Sequence, residues 1–473
     1  MNYLSWLKKD ITVPTRGKII NLFFLISLPN IFFLMLAWYS FTSRPLMNID
    51  YIFSLFVICL PWRITRFLGG IIFILAMFFD VLMFVIQIFP FMDFAAIKYL
   101  SSFLLTAPTN YIVLFLFLFL CILVILYLTF LFSKVDKIER SYSLFVLLGL
   151  FVICYVFMSL GVNYMRFYGI LGRDNYYISH SQVVLYHDIT KSDFWNDANV
   201  TPRLLPIKAD QKRGVNYLTT PTSNKILFIV AESWGVLRNQ DAQDMVIKNI
   251  LDRKSSFEFI NYGSFQASGA TVSGELRELC GLRLGNNGFA LSRTEKSQFS
   301  NCLPRQLQKQ GYETKALHGT SGLLYDRTAW YPKAGFQEVF FGENFIGLPR
   351  CIAFKGICDS ALMDVVGNQF KNLDDKKLFF YWMTLTSHQP YSQKDIHNSR
   401  FDCSHFGMNS KGDACHNAQL ETQFLDNLAE LTRKPEMHGV EVMVVGDHQP
   451  PIWGEDIKYI QPLKVSYLHF KIK

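Results

Sequence analysis

The sequence predicts two structural parts: a helical membrane domain of five transmembrane helices, followed by an α/β domain with a mostly parallel central sheet. The 473 residues are 51% hydrophobic and 16% aromatic, which is high for a wholly soluble chain. Nearly all long apolar runs come before residue 162, whereas short apolar runs alternate with helical patterns after residue 223. We therefore expect a membrane domain at 1–161, a connecting segment at 162–222 and an α/β domain at 223–473.

Five apolar segments define the predicted membrane domain, at 19–41, 51–62, 67–89, 111–132 and 143–161. Four of them approach or exceed the ~20 residues that cross a hydrocarbon core of ~30 Å. The second is short, so a re-entrant or interfacial helix is an alternative there. The first segment lacks a small-residue cleavage site, and we expect it to remain as an anchor.

Basic residues favour five crossings. They cluster before segment one, after segment two and between segments four and five, at Lys8, Lys9, Arg16, Lys18, Arg63, Arg66, Lys134, Lys137 and Arg140. The alternate loops hold only Arg44 and Lys98. Five spans satisfy the positive-inside rule, with a cytoplasmic N-terminus and everything after residue 161 outside. If segment two did not cross, the basic loops would fall on opposite sides.

Six of the nine cysteines lie in the predicted soluble part, as three sequential near pairs. Short loops and an oxidising compartment favour the pairings Cys280 with Cys302, Cys351 with Cys358, and Cys403 with Cys415, although six cysteines allow 15 connectivities. A zinc cluster is the alternative, but the spacing contains no CxxC pair. The other three, Cys59, Cys121 and Cys154, fall in apolar spans and are expected to be small core residues.

The segment 162–222 mixes aromatic and arginine side chains, including Tyr164, Arg166, Phe167, Tyr168, Tyr176 and Tyr177. This composition suits helices that lie on the outer membrane surface, and an ordinary linker is the alternative. The formal net charge of +8 fits a protein near anionic lipid head groups and does not require a nucleic acid partner.

In the C-terminal part, buried parallel strands are predicted at 225–231, 315–317, 377–385 and 440–445, with helices at 301–310, 360–373 and 417–432. Polar residues suited to catalysis follow all four strands: Glu232, His318, His388, and Asp447 with His448. In open α/β sheets the ligand crevice lies beyond the carboxyl ends of the strands, so these residues are expected to converge.

The order of short motifs resembles the alkaline phosphatase-like sulfatase superfamily, and within it the membrane-bound phosphoethanolamine transferases and phosphoglycerol transferases, including lipoteichoic acid synthases. The motifs are Ala231-Glu232-Ser233, Gly269-Ala270-Thr271, Leu317-His318-Gly319, Tyr325-Asp326-Arg327, Thr386-Ser387-His388-Gln389-Pro390 and Gly446-Asp447-His448. The resemblance implies an alkaline phosphatase-like catalytic domain. The three cysteine pairs are similar to the phosphoethanolamine branch, whereas His-Gly and Tyr-Asp-Arg are similar to the phosphoglycerol branch.

The resemblance further implies that Glu232, Thr271, Asp447 and His448 bind one divalent metal, with zinc favoured and manganese as the alternative. Thr271 is then the nucleophile, because metal coordination activates a hydroxyl that is otherwise weakly nucleophilic. A structural role for Thr271, as the N-cap of the next helix, is the alternative. Ser268 and Ser273 are nearby hydroxyls that could serve as the nucleophile instead.

His318, Arg327 and His388 are candidates for contacts to the phosphate and the leaving group, with Tyr325 at a position where the phosphoglycerol branch has an aromatic residue. A surface or core role is favoured for His405, His416 and His469. A sulfatase needs C/S-x-P-x-R, and Cys302-Leu303-Pro304-Arg305 has its arginine one position early.

The expected activity is transfer of phosphoethanolamine from phosphatidylethanolamine to a cell-envelope glycan or glycolipid through a phosphothreonine. Phosphoglycerol transfer from phosphatidylglycerol to a periplasmic glucan or polymer is the alternative, and a non-catalytic glycan-binding scaffold is an alternative of another class. The expected partners are a membrane phospholipid donor and a glycan or glycolipid acceptor, for a monomer in the bacterial inner membrane with a periplasmic catalytic domain. A transporter is disfavoured, because Asp80 is the main charge within the spans.

Overall fold

The computed structural model describes residues 14–40, 42, 44–88, 98, 101, 109–134, 137–160, 180–191, 193–208, 211–373, 375–397 and 400–473. The chain divides into two compact units, Met1–Trp195 and Asn196–Lys473. Their boundary falls inside the predicted connecting segment. The interfacial residues predicted between 164 and 177 lie outside the described residues, as do Lys8 and Lys9.

Each of the five predicted apolar segments contains a helix in the N-terminal unit. These helices are α1 (Arg16–Ser40), α2 (Ile49–Cys59), α3 (Arg63–Ile88), α4 (Thr109–Phe132) and α5 (Arg140–Leu160). Their surfaces carry large exposed apolar side chains, such as Phe23 on α1 and Phe130 on α4, each 71% exposed. Apolar surface of this extent suits a lipid environment.

Two of these helices are long and apolar enough to cross a membrane, over Arg16–Trp38 and Arg63–Gln87. The apolar stretches Ile49–Cys59, Leu116–Phe132 and Arg140–Val156 are shorter. The 11 residues of α2 rise about 16 Å, roughly half of a hydrocarbon core. Five membrane crossings therefore stay a prediction, whereas five apolar helices are observed.

A buried polar network joins three elements of the N-terminal unit around Asp80 of α3. The carboxylate accepts hydrogen bonds from Arg44 Nε at 2.8 Å and Nη2 at 2.9 Å, and from the Tyr51 hydroxyl at 2.7 Å. Asn48 and Gln182 donate to the same carboxylate at 3.2 and 2.9 Å. The charge that sequence analysis found out of place among the apolar spans is thus paired and saturated with donors.

Two short helices follow the gap after α5: α6 (Gln182–Thr190) and α7 (Asp193–Asn199). The Ser181 hydroxyl caps α6 by accepting from the Val184 amide, and donates to Asp50 Oδ1 at 2.6 Å. α6 is thereby hydrogen-bonded to the start of α2 within the N-terminal unit.

The C-terminal unit is built on an eight-stranded mixed sheet. Its strands are β2 (Lys225–Ala231), β3 (Gly235–Leu237), β4 (Phe257–Gln266), β6 (Tyr312–His318), β7 (Glu338–Phe340), β8 (Lys377–Met383), β9 (Glu441–Gly446) and β10 (Ile460–Ile472). The strands lie in the order β3, β10, β9, β2, β8, β6 and β7, and β4 also pairs with β10. A separate antiparallel pair joins β1 (Leu204–Pro206) to β5 (Leu282–Leu284).

Parallel pairing holds for the five strands β9, β2, β8, β6 and β7, four of which overlap the predicted strands. The sheet is nevertheless mixed, because β10 pairs antiparallel with β3, β4 and β9. The sequence signal for this extension is weak for physical reasons. Most β4 side chains are exposed or half-buried, and β10 is interrupted by Leu463, whose φ is 54°.

Helices cover the sheet, and three of them overlap the predicted helices with ends that differ by one to four residues. The helices are α8 (Val215–Leu218), α9 (Gln240–Leu251), α10 (Thr271–Cys280), α11 (Leu303–Lys309), α12 (Arg327–Ala334), α13 (Asp359–Gln369) and α14 (Asp413–Leu431). Buried residues of β2, β8 and β9 pack with α9, α13 and α14 in one hydrophobic cluster. The rigid core thus lies directly behind the carboxyl ends of the parallel strands.

All three predicted disulfides are present, joining Cys280 to Cys302, Cys351 to Cys358 and Cys403 to Cys415. The zinc-cluster alternative for these cysteines is therefore wrong. Each bridge closes a short loop, with sequence separations of 22, 7 and 12.

The Asp80 network predicts a large effect of a single substitution in the N-terminal unit. Asp80→Leu leaves the Arg44 guanidinium buried without its counter-ion, and we expect a loss of about 3–5 kcal/mol in unfolding free energy. Denaturation of the full chain in detergent measures it. As a control, Asp364→Asn breaks an exposed pair with Lys434 and is expected to change stability by less than about 0.5 kcal/mol. Equal effects of the two substitutions would refute the structural importance of Asp80.

Candidate active site

Four side chains that are distant in sequence meet at the carboxyl edge of the parallel strands. Glu232 directly follows β2, while Asp447 and His448 directly follow β9. These two strands are neighbours in register, with Ala231 opposite Gly446, so their next residues lie side by side. Thr271 is the first residue of α10. The strand topology thus brings Glu232, Asp447 and His448 together, and the start of α10 adds Thr271.

The distances among these side chains suit one small cation. Thr271 Oγ1 lies 3.3 Å from both Glu232 Oε2 and His448 Nε2. His448 Nε2 lies 3.5 Å from Glu232 Oε1 and 3.3 Å from Asp447 Oδ2. Tetrahedral ligands at the zinc–nitrogen and zinc–oxygen distances of proteins are about 3.4 Å apart. The observed separations therefore match a shared divalent ion.

Burial makes this group of residues electrostatically incomplete without a cation. Glu232 and Asp447 are 2% and 0% exposed, and Asp447 Oδ2 accepts no hydrogen bond from any described residue. Burial raises the pKa of Glu232, and burial followed by the Glu232 charge raises the pKa of Asp447 to about 6. Burial disfavours protonated His448, but the charges of Asp447 and Glu232 outweigh it and raise the pKa of His448. The site therefore has the donor atoms of a metal centre and an uncompensated negative charge that a cation would balance.

Hydrogen bonds behind the ligands fix their orientation. Ser233 adopts φ 59°, an uncommon conformation for a residue with a side chain. In that conformation its amide donates to Asp447 Oδ1 at 2.8 Å and its hydroxyl to Glu232 Oε1 at 2.9 Å. His448 Nδ1 donates to the Gln449 carbonyl at 2.8 Å, which leaves the Nε2 lone pair for a metal. Sequence analysis missed the role of Ser233, although it stands next to a predicted ligand.

Thr271 occupies the position expected of a nucleophile. The N-cap of α10 is Ala270, so Thr271 does not cap the helix, and its hydroxyl instead faces Glu232 and His448. The competing hydroxyl of Ser268 is on an exposed residue, and Ser273 is half-buried further along the helix. The positive end of the α10 dipole lies at Thr271, where it favours bound anionic groups such as phosphate.

Arg327 is less available than sequence analysis expected. Its guanidinium is 1% exposed and pairs with Glu275 of α10, at 3.0 Å through Nε and 2.8 Å through Nη2. The hydroxyls of Tyr331 and Tyr381 donate to the other oxygen of Glu275. Part of the fork predicted to bind phosphate is therefore used inside the protein. Nothing in the motif around Arg327 signals Glu275, which lies 52 positions earlier.

The Tyr325 ring packs between the Arg327 guanidinium and the ring of Phe289. It lies 5.3 Å from the Arg327 guanidinium carbon and 5.3 Å from the ring of Phe289. The residue has φ 56°, as does Asp326 after it, so the turn before α12 uses left-handed backbone twice. This turn places the Tyr325 ring within cation–π distance of the Arg327 guanidinium.

His318 and His388 are neutral acceptors at neutral pH. His318 Nδ1 faces the Met383 carbonyl at 3.0 Å, and its buried Nε2 has no hydrogen-bond partner among the described residues. His388 Nδ1 faces the Gln389 carbonyl at 2.5 Å. A carbonyl only accepts, so Nδ1 carries the proton in both rings. Burial lowers the pKa of His318 far below its usual value and that of His388 to about 4.

The three histidines expected to be surface or core residues have such roles. His405 is exposed, and His416 contacts the Tyr391 carbonyl through Nδ1 at 3.1 Å. His469 lies in β10, where Nε2 is 2.8 Å from Glu441 Oε1.

Cys302, the residue nearest to a sulfatase-type motif, is bonded to Cys280 and has no solvent exposure. It is therefore unavailable for conversion to the formylglycine that sulfatases use as a nucleophile. The hydroxyl among the metal-ligand candidates is that of Thr271.

Several solved structures are similar to the chain at low identity. A protein of the alkaline phosphatase superfamily from Vibrio parahaemolyticus is 18% identical, with a TM-score of 0.41, covering 54% of this chain and 61% of its own. The lipoteichoic acid synthase LtaP from Listeria monocytogenes is 15% identical, with a TM-score of 0.40, covering 59% of this chain and 70% of its own. The C-terminal periplasmic domain of EptC from Escherichia coli is 12% identical, with a TM-score of 0.36, covering 56% of this chain and 77% of its own.

The chain thus spans less than two thirds of the length of the Vibrio protein. No curated protein matched the chain in a sequence comparison. A profile of the sulfatase family, in contrast, matches residues 224–464, which include the eight-stranded sheet up to the first part of β10 and all four metal-ligand candidates. The chain belongs to the sulfatase family.

Proposed function

We propose that this chain transfers phosphoethanolamine from phosphatidylethanolamine to a cell-envelope glycan or glycolipid, through a covalent phosphothreonine at residue 271. The observation that carries the proposal is the Thr271 hydroxyl, 3.3 Å from Glu232 and from His448, at the start of a helix. A hydroxyl nucleophile at a divalent metal centre suits attack on a phosphate ester. The motifs that resemble phosphoethanolamine and phosphoglycerol transferases support the choice of a phospholipid donor.

In the first half of the reaction, Thr271 Oγ1 forms a bond to the head-group phosphorus as the bond from phosphorus to the diacylglycerol oxygen breaks. Glu232, Asp447, His448 and Thr271 would hold the metal, with zinc favoured for its mixed nitrogen and oxygen donors. When bound, the metal lowers the pKa of the threonine hydroxyl and neutralises charge on the phosphate. The Thr271 proton is lost, and the departing diacylglycerol oxygen gains one.

In the second half, an acceptor oxygen bonds to phosphorus and the bond to Thr271 Oγ1 breaks. The acceptor hydroxyl loses a proton, and Thr271 regains one. His388, with a pKa of about 4, is neutral before substrate binds and has an open Nε2 lone pair, so it suits proton acceptance from the acceptor. For His388 to protonate the departing diacylglycerol oxygen, a nearby anionic phosphate would have to raise the pKa of His388.

His318 suits recognition of a head group more than recognition of phosphate. Its buried Nε2 lone pair accepts hydrogen bonds, and phosphate oxygens are acceptors as well. An ammonium or hydroxyl group supplies the missing donor. Both ethanolamine and glycerol carry such donors, so the phosphoglycerol alternative has the same support from this residue.

The apolar N-terminal helices support a donor that resides in a membrane. Two of them are long and apolar enough to cross a membrane. A phospholipid donor resides in the bilayer, so a membrane-anchored enzyme meets it without extracting it into water. With the three disulfides, this supports a bacterial inner-membrane location with the catalytic unit in the periplasm.

Thr271→Ala tests the nucleophile. Because it removes the attacking oxygen, we expect labelled diacylglycerol release from a fluorescent donor to fall by about 10³-fold or more. Ser273→Ala, which removes a hydroxyl from the same helix, is expected to stay within about 2-fold of the parent. Mass spectrometry of the trapped parent should locate phosphoethanolamine on Thr271. Full activity of Thr271→Ala would show that the nucleophile is wrong.

The transferred group is decided by comparing donors. In detergent micelles containing either labelled phosphatidylethanolamine or labelled phosphatidylglycerol, we expect the ethanolamine lipid to react at least about 10-fold faster. The reverse preference would replace the proposal with phosphoglycerol transfer. Thr271→Ala is the blank for each lipid, since it reports hydrolysis that does not involve the site.

Metal dependence is tested on binding as well as on activity. Asp447→Asn removes one buried ligand charge, and we expect zinc affinity to fall by at least about 100-fold. The exposed Asp364→Asn should retain the metal content of the parent, measured by inductively coupled plasma mass spectrometry. A chelator should stop diacylglycerol release, and zinc or manganese should restore it. A purified parent that binds no metal would instead support the non-catalytic scaffold.

A further inference from the structure

We propose that Gly274 and Arg277 form a rigid joint between the nucleophile helix and the metal-ligand loop, and that Arg277 is a positioning residue for the site. The joint connects α10, which begins with Thr271, to the peptide 446–448, which carries Asp447 and His448. The inference rests on the proposed function, which assigns Thr271 and this loop to one centre.

Gly274 brings the helix and the loop into direct backbone contact. A Cβ atom at this position would lie 2.7 Å from the Cα, the Cβ and the carbonyl oxygen of Asp447. Contacts this short to backbone atoms do not occur, so any side chain at 274 must push the metal-ligand residue away. Gly274 is one helical turn after Thr271, which places the close contact directly beneath the nucleophile.

Arg277 fastens the same two segments. Its Nη2 donates to the carbonyls of Gly446 at 3.0 Å and of Asp447 at 2.9 Å. Gly446 is the last residue of β9, and Asp447 is a metal-ligand candidate. One planar group thus holds both peptides that orient the Asp447 side chain, from a helix that starts with Thr271.

Glu278 fixes the orientation of the Arg277 guanidinium. Arg277 Nε donates to Glu278 Oε1 at 2.6 Å, and Glu278 Oε2 accepts from the Gly214 amide at 2.6 Å. Arg277 and Glu278 are 6% and 0% exposed. Buried charge-assisted bonds with one geometry restrict motion, so the joint transmits the position of α10 to the loop. A lysine at 277 has no planar fork and does not make the same three bonds at once.

The joint explains how atoms from separate elements stay within 3.3 Å of each other at the metal centre. Glu232 is connected to Asp447 by the neighbouring strands β2 and β9, but Thr271 belongs to no strand of the sheet. Glu275 of the same helix is bonded to Arg327, Tyr331 and Tyr381, whereas Gly274 and Arg277 connect the helix directly to the loop 446–448. Arg277 therefore fixes the metal-ligand loop relative to the nucleophile helix.

The test uses the full chain in detergent and three variants. Arg277→Lys and Gly274→Ala disturb the joint without altering any atom that touches metal or substrate. Arg400→Lys is the matched control, because Arg400 also pairs with a carboxylate, Asp426, and donates to a backbone carbonyl, that of Met245, but lies outside the site. Each protein is measured for zinc affinity by chelator competition, for kcat and KM with the lipid donor, and for thermal unfolding.

We expect Arg277→Lys to bind zinc about 10–100-fold more weakly and to lose kcat with KM nearly unchanged, the range seen when outer-shell partners of metal ligands are removed. Gly274→Ala should weaken zinc binding in the same direction. Arg400→Lys should lower thermal stability while zinc affinity and kcat stay within about 2-fold of the parent.

Zinc affinity within 2-fold of the parent for Arg277→Lys would overturn the proposal, as would an equal loss of affinity in Arg400→Lys. Should Arg277→Lys fail to fold, Gly274→Ala decides by the same criterion. If the parent releases no diacylglycerol, the proposed function fails, but the zinc affinities still decide whether the joint positions the ligands.

Discussion

Two buried carboxylates, Glu232 and Asp447, stand next to each other at the ends of neighbouring parallel strands, and the architecture of the site follows from holding them there. Like charges in a low-dielectric environment repel, so the arrangement is stable only with a cation or with protons. Burial raises the pKa of Glu232, and burial together with the Glu232 charge raises that of Asp447. Ser233, in its left-handed conformation, donates to both. The uncommon backbone conformation of Ser233 thus orients two carboxylates whose negative charge a cation would compensate.

The remaining parts of the site add a hydroxyl and three imidazoles around this centre. Thr271 adds an oxygen at the start of a helix, and His448 adds a nitrogen whose other ring atom is committed to the Gln449 carbonyl. His318 and His388 share that pattern, with Nδ1 on a carbonyl and Nε2 open. Burial keeps His318 and His388 neutral, which adds no positive charge near the candidate metal site and leaves lone pairs for proton transfer or for donors on a substrate. The combination suits transfer of a phosphorus-containing group.

The two units solve the problem of buried charge in different ways. In the N-terminal unit, Asp80 is satisfied by Arg44 together with Tyr51, Asn48 and Gln182, so the charge is neutralised and structural. In the C-terminal unit, Asp447 keeps an oxygen without a donor among the described residues. A saturated carboxylate stabilises packing, whereas an unsaturated one has capacity for a ligand. This contrast distinguishes the saturated carboxylate of Asp80 from Asp447, a candidate metal ligand.

The sequence by itself determined the apolar helical part and indicated the four central strands, the favoured disulfide pairs and the residues that meet at the strand ends. These features depend on local patterns: continuous apolar runs, strands followed by polar residues, and cysteines close in sequence. Only the tertiary structure decided the antiparallel extension through β10 and β4, the pairing of Arg327 with Glu275, and the contact of Gly274 and Arg277 with the loop at 446–448. Each of these joins residues far apart in the chain through packing and directional hydrogen bonds, and such contacts leave no periodicity or spacing in the sequence.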